Sequence, residues 1–286
     1  MQWLPYRWYF QIFFVVYRWV IAGFFAGWLI AAGLSYINDG DAKFFVLLTN
    51  WGFLTFNVHL IWSAIVSTVD FFREFVCCRQ QYIDAGETRS TAYKRDLETP
   101  TGCCGSSYNT IKWYHMIQWG LFAIGTEIAV AITIIYWPLI YNPSNPVNGV
   151  RFNTHGTQGI VAVMEVLIAG VPVRFYHFYF TMIFGAVFVV FSGIYYAAGG
   201  TNLGGDPFIY SILDYGNNPG GAIGVIFAVV FLLLPIVHIF FYLAYVARYW
   251  IIYLIYSKRH TSSPDRTRLE EGKQNSPEIG TELKEL

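Results

Sequence analysis

Thr49, in the run KFFVLLTNWGF, and His155, in RFNTHGTQG, are the hydroxyl and the imidazole whose placement suggests chemistry. A threonine beside an imidazole base suffices for attack on an ester, because the base accepts the proton as the oxygen attacks. The same residue types at helix ends also serve as caps and hydrogen-bond donors. Which role applies depends on the elements that carry them.

A second set of residues stands inside apolar stretches: Arg18, His59, Glu127, Glu165 and His238. Ionisable groups there are costly, so they pair, line water or do chemistry. Arg18 has two readings, snorkelling to the nearer interface or pairing with Glu127 or Glu165. Either glutamate, being near mid-bilayer, would be neutral or paired, as an interhelical hydrogen-bond partner or a proton relay. His59 and His238 read as neutral core histidines donating one hydrogen bond or as metal ligands; neither has a second histidine at i+4. The sequence calls for no metal and no cofactor.

The four cysteines come as two pairs, Cys77-Cys78 and Cys103-Cys104. Structural zinc sites favour Cys-x-x-Cys spacing, and cytosolic thiols rarely form disulfides. Adjacent cysteines beside an apolar span are lipidation candidates instead.

The elements that position these groups are set by composition. Hydrophobic residues are 55% of the 286, aromatic residues 20% and charged residues only 13%. That balance excludes an ordinary soluble domain, and zero net charge gives no argument for nucleic acid. Stretches of the length a bilayer requires occur at about 9–33, 44–69, 116–141, 157–173, 178–198 and 222–255. The fourth is the shortest and ends at a proline. The first continues too far to be a cleavable signal.

Lys and Arg near the span ends set the expected orientation. They concentrate in the connection from Asp70 to Lys112, at Arg174, and from Arg248 through Arg268. These faces are expected to be cytosolic. The connection from Gly199 to Gly221 has no basic residue and faces the other side, its aromatic centre Phe208–Tyr215 expected to pack over a cavity between helices. Thr49 and His155 then share one depth at the outer end. Residues 1–256 are one membrane domain, and 257–286 read as a disordered cytosolic tail with prolines, clustered glutamates and few apolar residues. The fold class is all-α, a polytopic bundle of six transmembrane helices with both termini cytosolic.

From about Phe44 to Trp250 the blocks FVLLTNWGF, KWYHMIQWGLFAIGTEIAVAITIIYWPLIY, NTHGTQGIVAVMEVLIAGVPVRFYHFYF and GIYYAAGGTNLGGDPFIYSILDYGNNPG resemble the rolling stone family of multi-pass membrane proteins. The resemblance implies a developmental role in myoblast fusion, as a non-catalytic membrane organiser. That family is in turn distantly similar to androgen-induced transmembrane hydrolases, which cleave lipid esters with an intramembrane Thr and a His. His155 precedes Glu165 by ten residues, as in those hydrolases, whereas the run before Thr49 is longer and Thr55 competes for the role. The alternative function is therefore an intramembrane Thr49/His155 hydrolase of fatty acid esters. Expected partners are membrane lipids, with a lipid ester as the alternative's substrate; the expected location is the plasma membrane, or else the endoplasmic reticulum.

Overall fold

The structure, a computed structural model, describes residues 8–38, 43–85, 111–144 and 146–261. Every regular element among them is helical. Helix α1 is Trp8–Asn38, α2 is Leu48–Ala85, and α3 is Trp113–Ile135 continued by a π turn at Tyr136–Ile140. Helix α4 joins Gly149–Phe152, a π turn at Asn153–Thr157 and Gln158–Ile168. Helix α5 is Phe178–Ala197, and α6 joins Pro219–Phe227, a π turn at Ala228–Leu233 and Leu234–Thr261.

Local sequence explains the boundaries. Asn148 caps α4 by accepting from Arg151 N at 2.8 Å, and Asn218 caps α6 by accepting from Gly221 N at 3.0 Å with Pro219 following. In α3, Pro138 cannot donate within the helix, and the turn around it widens so that Tyr141 N reaches Tyr136 O at 2.8 Å. In α6, Pro235 follows a similar widening, with Leu234 N bonded to Val229 O.

Five helices are long and apolar enough to cross a membrane: Phe10–Asn38, Leu48–Arg73, Trp113–Ile140, Phe175–Ala197 and Pro219–Leu254. The stretch expected at 157–173 is corrected. Its helix starts at residue 149 and stops at Ile168, because Ala169 turns extended (φ −71°, ψ 135°) ahead of Val171 and Pro172. The last piece, Gln158–Ile168, is only 11 residues and itself contains Gln158 and Glu165, and GVRF with the polar run NTHGT supplies the rest of α4. Helix α2 runs past residue 69 to Ala85, since DFFREFVCCRQQYIDA contains no breaker.

The chain divides into two units, residues 1–242 and 243–286. In the first, α2 and α3 are the most buried helices, while α1 and α5 bury few of their residues. Small residues set the α2–α3 approach. A Cβ on Gly125 would stand 3.3 Å from Phe56 Cα, and one on Gly52 would be 2.4 Å from Ile132 Cδ1. Close backbone approach of this kind is how helices associate in lipid, where burial from water contributes nothing. Helix α1 joins through Phe25, whose ring meets Phe56 edge-on at 5.2 Å and Phe53 at 6.1 Å. Each such aromatic pair contributes about 0.5–1.5 kcal/mol beyond its contact area. In the second unit the Arg248 guanidinium lies 5.7 Å from the Tyr245 ring centroid. The 262–286 part of the tail and the Cys103-Cys104 pair lie outside the described residues, as do the side chains of Cys77 and Cys78.

Candidate functional site

Arg18 does not snorkel. It is 4% exposed and its Nη1 donates to Glu165 Oε2, so α1 and α4 are joined by an ion pair. His59 of α2 stands on the same carboxylate, its Nε2 3.6 Å from Oε2. Tyr17 lies beside the same carboxylate. Three helices thus converge on one carboxyl group. Even so, Arg18 Nε, Glu165 Oε1 and both ring nitrogens of His59 are buried without a hydrogen-bond partner.

Glu127 anchors a different cluster. Its Oε1 lies 2.8 Å from His238 Nδ1, and its Oε2 accepts from Thr181 Oγ1 at 2.6 Å. His238 Nε2 is 3.2 Å from the Arg174 carbonyl oxygen. A carbonyl only accepts, so Nε2 carries a proton, and the contact between Nδ1 and Oε1 holds one more. The pair is neutral overall wherever that second proton rests. Helices α3, α5 and α6 and the segment after α4 meet here.

Thr49 sits in the first turn of α2, where backbone N–H groups lack helical partners. Tyr210, from the connection between α5 and α6, stands over this turn, its hydroxyl near the Thr49 side chain and the backbone at Leu48 and Thr49. Burial pushes that hydroxyl up to about 12 in pKa, with the nearby Thr49 and Leu48 groups acting to lower it. Thr49 and Tyr210 also line a cavity of about 80 Å³ whose other walls are almost wholly aliphatic and aromatic, so Thr49 opens on an apolar space.

His155 lies in the π turn of α4 and stacks face to face on Tyr136, centroids 3.5 Å apart and planes 8° from parallel. Its Nδ1 is buried without a partner. Burial, with the Arg151 charge second, holds the imidazole down to about 3, so it is neutral at physiological pH and a weak base. Among the described residues no hydrogen bond joins Thr49 to His155. Tyr136 borders the cavity and His155 stands behind it. Thr55 bonds back to Trp51 O at 2.8 Å.

Sequence reasoning missed Tyr210, Tyr136 and Thr181. Tyr210 lies in the aromatic segment singled out between Phe208 and Tyr215, but nothing in that segment says which residue reaches α2. A fourth polar group was also missed. His115 Nε2 lies 3.0 Å from Asp70 Oδ2 while its Nδ1 accepts from Lys112 N at 3.1 Å, tying the start of α3 to α2. Among the described residues, no group of three or more His, Cys, Asp or Glu is placed to hold a metal ion.

A family model described as Protein rolling stone matches residues 2–257. Protein rolling stone of Drosophila melanogaster is 30% identical over 224 residues, covering 77% of this chain and 72% of the relative. No solved structure matches. The chain belongs to the rolling stone family, and with its long apolar helices it is a membrane protein.

Proposed function

We propose, from that family membership, that this chain is a non-catalytic organiser of cell contact in myoblast fusion, resident in the plasma membrane with both termini in the cytosol. The observation that carries the reading is how the polar groups within the helices are used. Arg18 with Glu165, and Glu127 with His238 and Thr181, each tie separate helices together, while Thr49 stands beside Tyr210 and His155 is stacked on Tyr136. Such ties suit a fixed scaffold, because buried polar contacts specify one helix arrangement in lipid. The basic residues Arg73 and Lys112 support the orientation, and Cys77 and Cys78 just beyond them are the proposed acylation sites.

The test is depletion of the protein from differentiating myoblasts, followed by rescue. Fusion should fall and return equally with wild type and with the Thr49→Ala and His155→Ala variants. Failure of the surface-delivered Thr49→Ala variant to rescue would favour the second reading, lipid ester hydrolysis, which is supported by the Thr49 side chain lining an apolar cavity. Unchanged fusion on depletion would remove the organiser role. Tags at Gly86 and after Leu286 should stain only after permeabilisation; staining of intact cells would reverse the orientation. Acyl-exchange labelling should drop when Cys77 and Cys78 both become Ala, and unchanged labelling would place acylation elsewhere.

A further inference from the structure

The cavity beside Thr49 has a chemistry of its own. Its floor is Ile128, Ile132 and Phe188, all 5% exposed or less, whereas Val189 of α5 and Val229 of α6 are partly exposed on its rim. It therefore runs from the packed interior to a flank of the helices. Nothing in it can hold water well. An ordered buried water needs two to four polar partners, and beyond the hydroxyls of Thr49, Tyr136 and Tyr210 the lining residues are all apolar. Apolar cavities without such partners stay dry and take apolar guests.

The size narrows the guest. About 80 Å³ is roughly half the volume of an engineered apolar cavity, about 150 Å³, that admits benzene. A linear hydrocarbon chain fits such a space better than a fused ring system. The space is also built into the backbone. Two of its walls come from the π turns at Tyr136–Ile140 and Ala228–Leu233, where the helix is locally widened, and Gly185 contributes backbone with no side chain.

We propose that this cavity takes the methyl-end segment of one acyl chain of a membrane glycerolipid, entered along the flank marked by Val189 and Val229. The lipid itself supplies the guest, because the rim faces the hydrocarbon that surrounds these helices. The proposal holds whether or not the protein organises fusion or cleaves esters.

The experiment uses the full chain in phosphatidylcholine nanodiscs containing an ether-linked phosphatidylcholine with a diazirine near the end of one chain. The ether linkage removes ester chemistry from the readout. After irradiation, adducts should concentrate on cavity residues such as Ile132 and Leu213, and fall about fivefold when Val229→Trp blocks the rim or Ala131→Phe fills the floor. Adducts on Phe13 and Val20, exposed on α1, should stay constant and report that the protein is still folded in lipid. Val229 is partly exposed, so its replacement remains informative if Ala131→Phe fails to fold. Absence of adducts from the cavity, or adducts unchanged by Val229→Trp, would overturn the proposal. Preferential labelling by a diazirine sterol over the acyl probe would overturn it too.

Discussion

The two carboxylates Glu165 and Glu127 are equally buried but opposites in design. Glu165 faces an arginine, which cannot release its proton, and leaves Glu165 Oε1, Arg18 Nε and both His59 nitrogens without partners. Glu127 faces a histidine that shares a proton with it, and both its oxygens are bonded. The first cluster is an ion pair with spare hydrogen-bonding capacity; the second is a closed neutral network. The difference teaches that burial sets a demand for charge balance, which the two sites meet by different means: a fixed counter-charge in one, proton sharing in the other.

The largest effect is expected where the counter-charge is fixed. Arg18→Met strands the Glu165 carboxylate and should cost about 3–5 kcal/mol, whereas Arg18→Met with Glu165→Met should recover most of it. Thermal unfolding in detergent measures both, and an equal loss in the single and double variants would show that the pair is not the source. At the second network, His238→Leu removes one partner from Glu127. The expected loss is smaller, about 1–3 kcal/mol for a buried acceptor left unmet. Should His238→Leu cost as much as Arg18→Met, the distinction between the clusters fails. Thr181→Val deletes one hydroxyl donor and should cost about 1 kcal/mol, read as a small drop in melting temperature.

His155 extends the comparison to a buried base with no counter-charge at all, and at neutral pH its expected effect is nil. Its folded-state pKa of about 3 lies below the usual histidine value of 6.5 given for it, so the unfolded chain binds the extra proton first. Stability is complete above 6.5 and declines as pH falls through the window down to about 3. His155→Gln should flatten the dependence of melting temperature on pH within that window. An unchanged slope would mean that His155 is hydrated in solution.

Much of the membrane architecture was legible because lipid imposes simple rules. Apolar length marked the first two spans, the third, the fifth and the last. The fourth span was misplaced because hydropathy cannot register a helix that starts in polar residues such as Asn153 and His155. The same limit applied to the clusters. Arg18 stood out as costly from its position alone, but its partner could have been either glutamate until packing of α1 against α2 brought it to Glu165. Thr49 and His155 share an end of the helices, as topology required. What topology could not supply was that Tyr210 and Tyr136 would reach them. In α5, Gly193 has open space beside it, whereas a Cβ on Gly185 would stand 3.0 Å from Leu234 Cδ1.

Tyr210 and Thr49 wall one cavity but are far apart in synthesis. Tyr210 stands 161 positions after Thr49 (210 − 49), so the first turn of α2 leaves the ribosome long before the residue that covers it exists. Until α5 has inserted and the connection after it has folded back, that turn stays uncovered. The α2 entrance is thus the last part of the early helices to be completed, and the cavity beside it gains its roof in the same event. A nascent chain halted before Tyr210 would have its earlier helices in the bilayer and still be unsealed at that end.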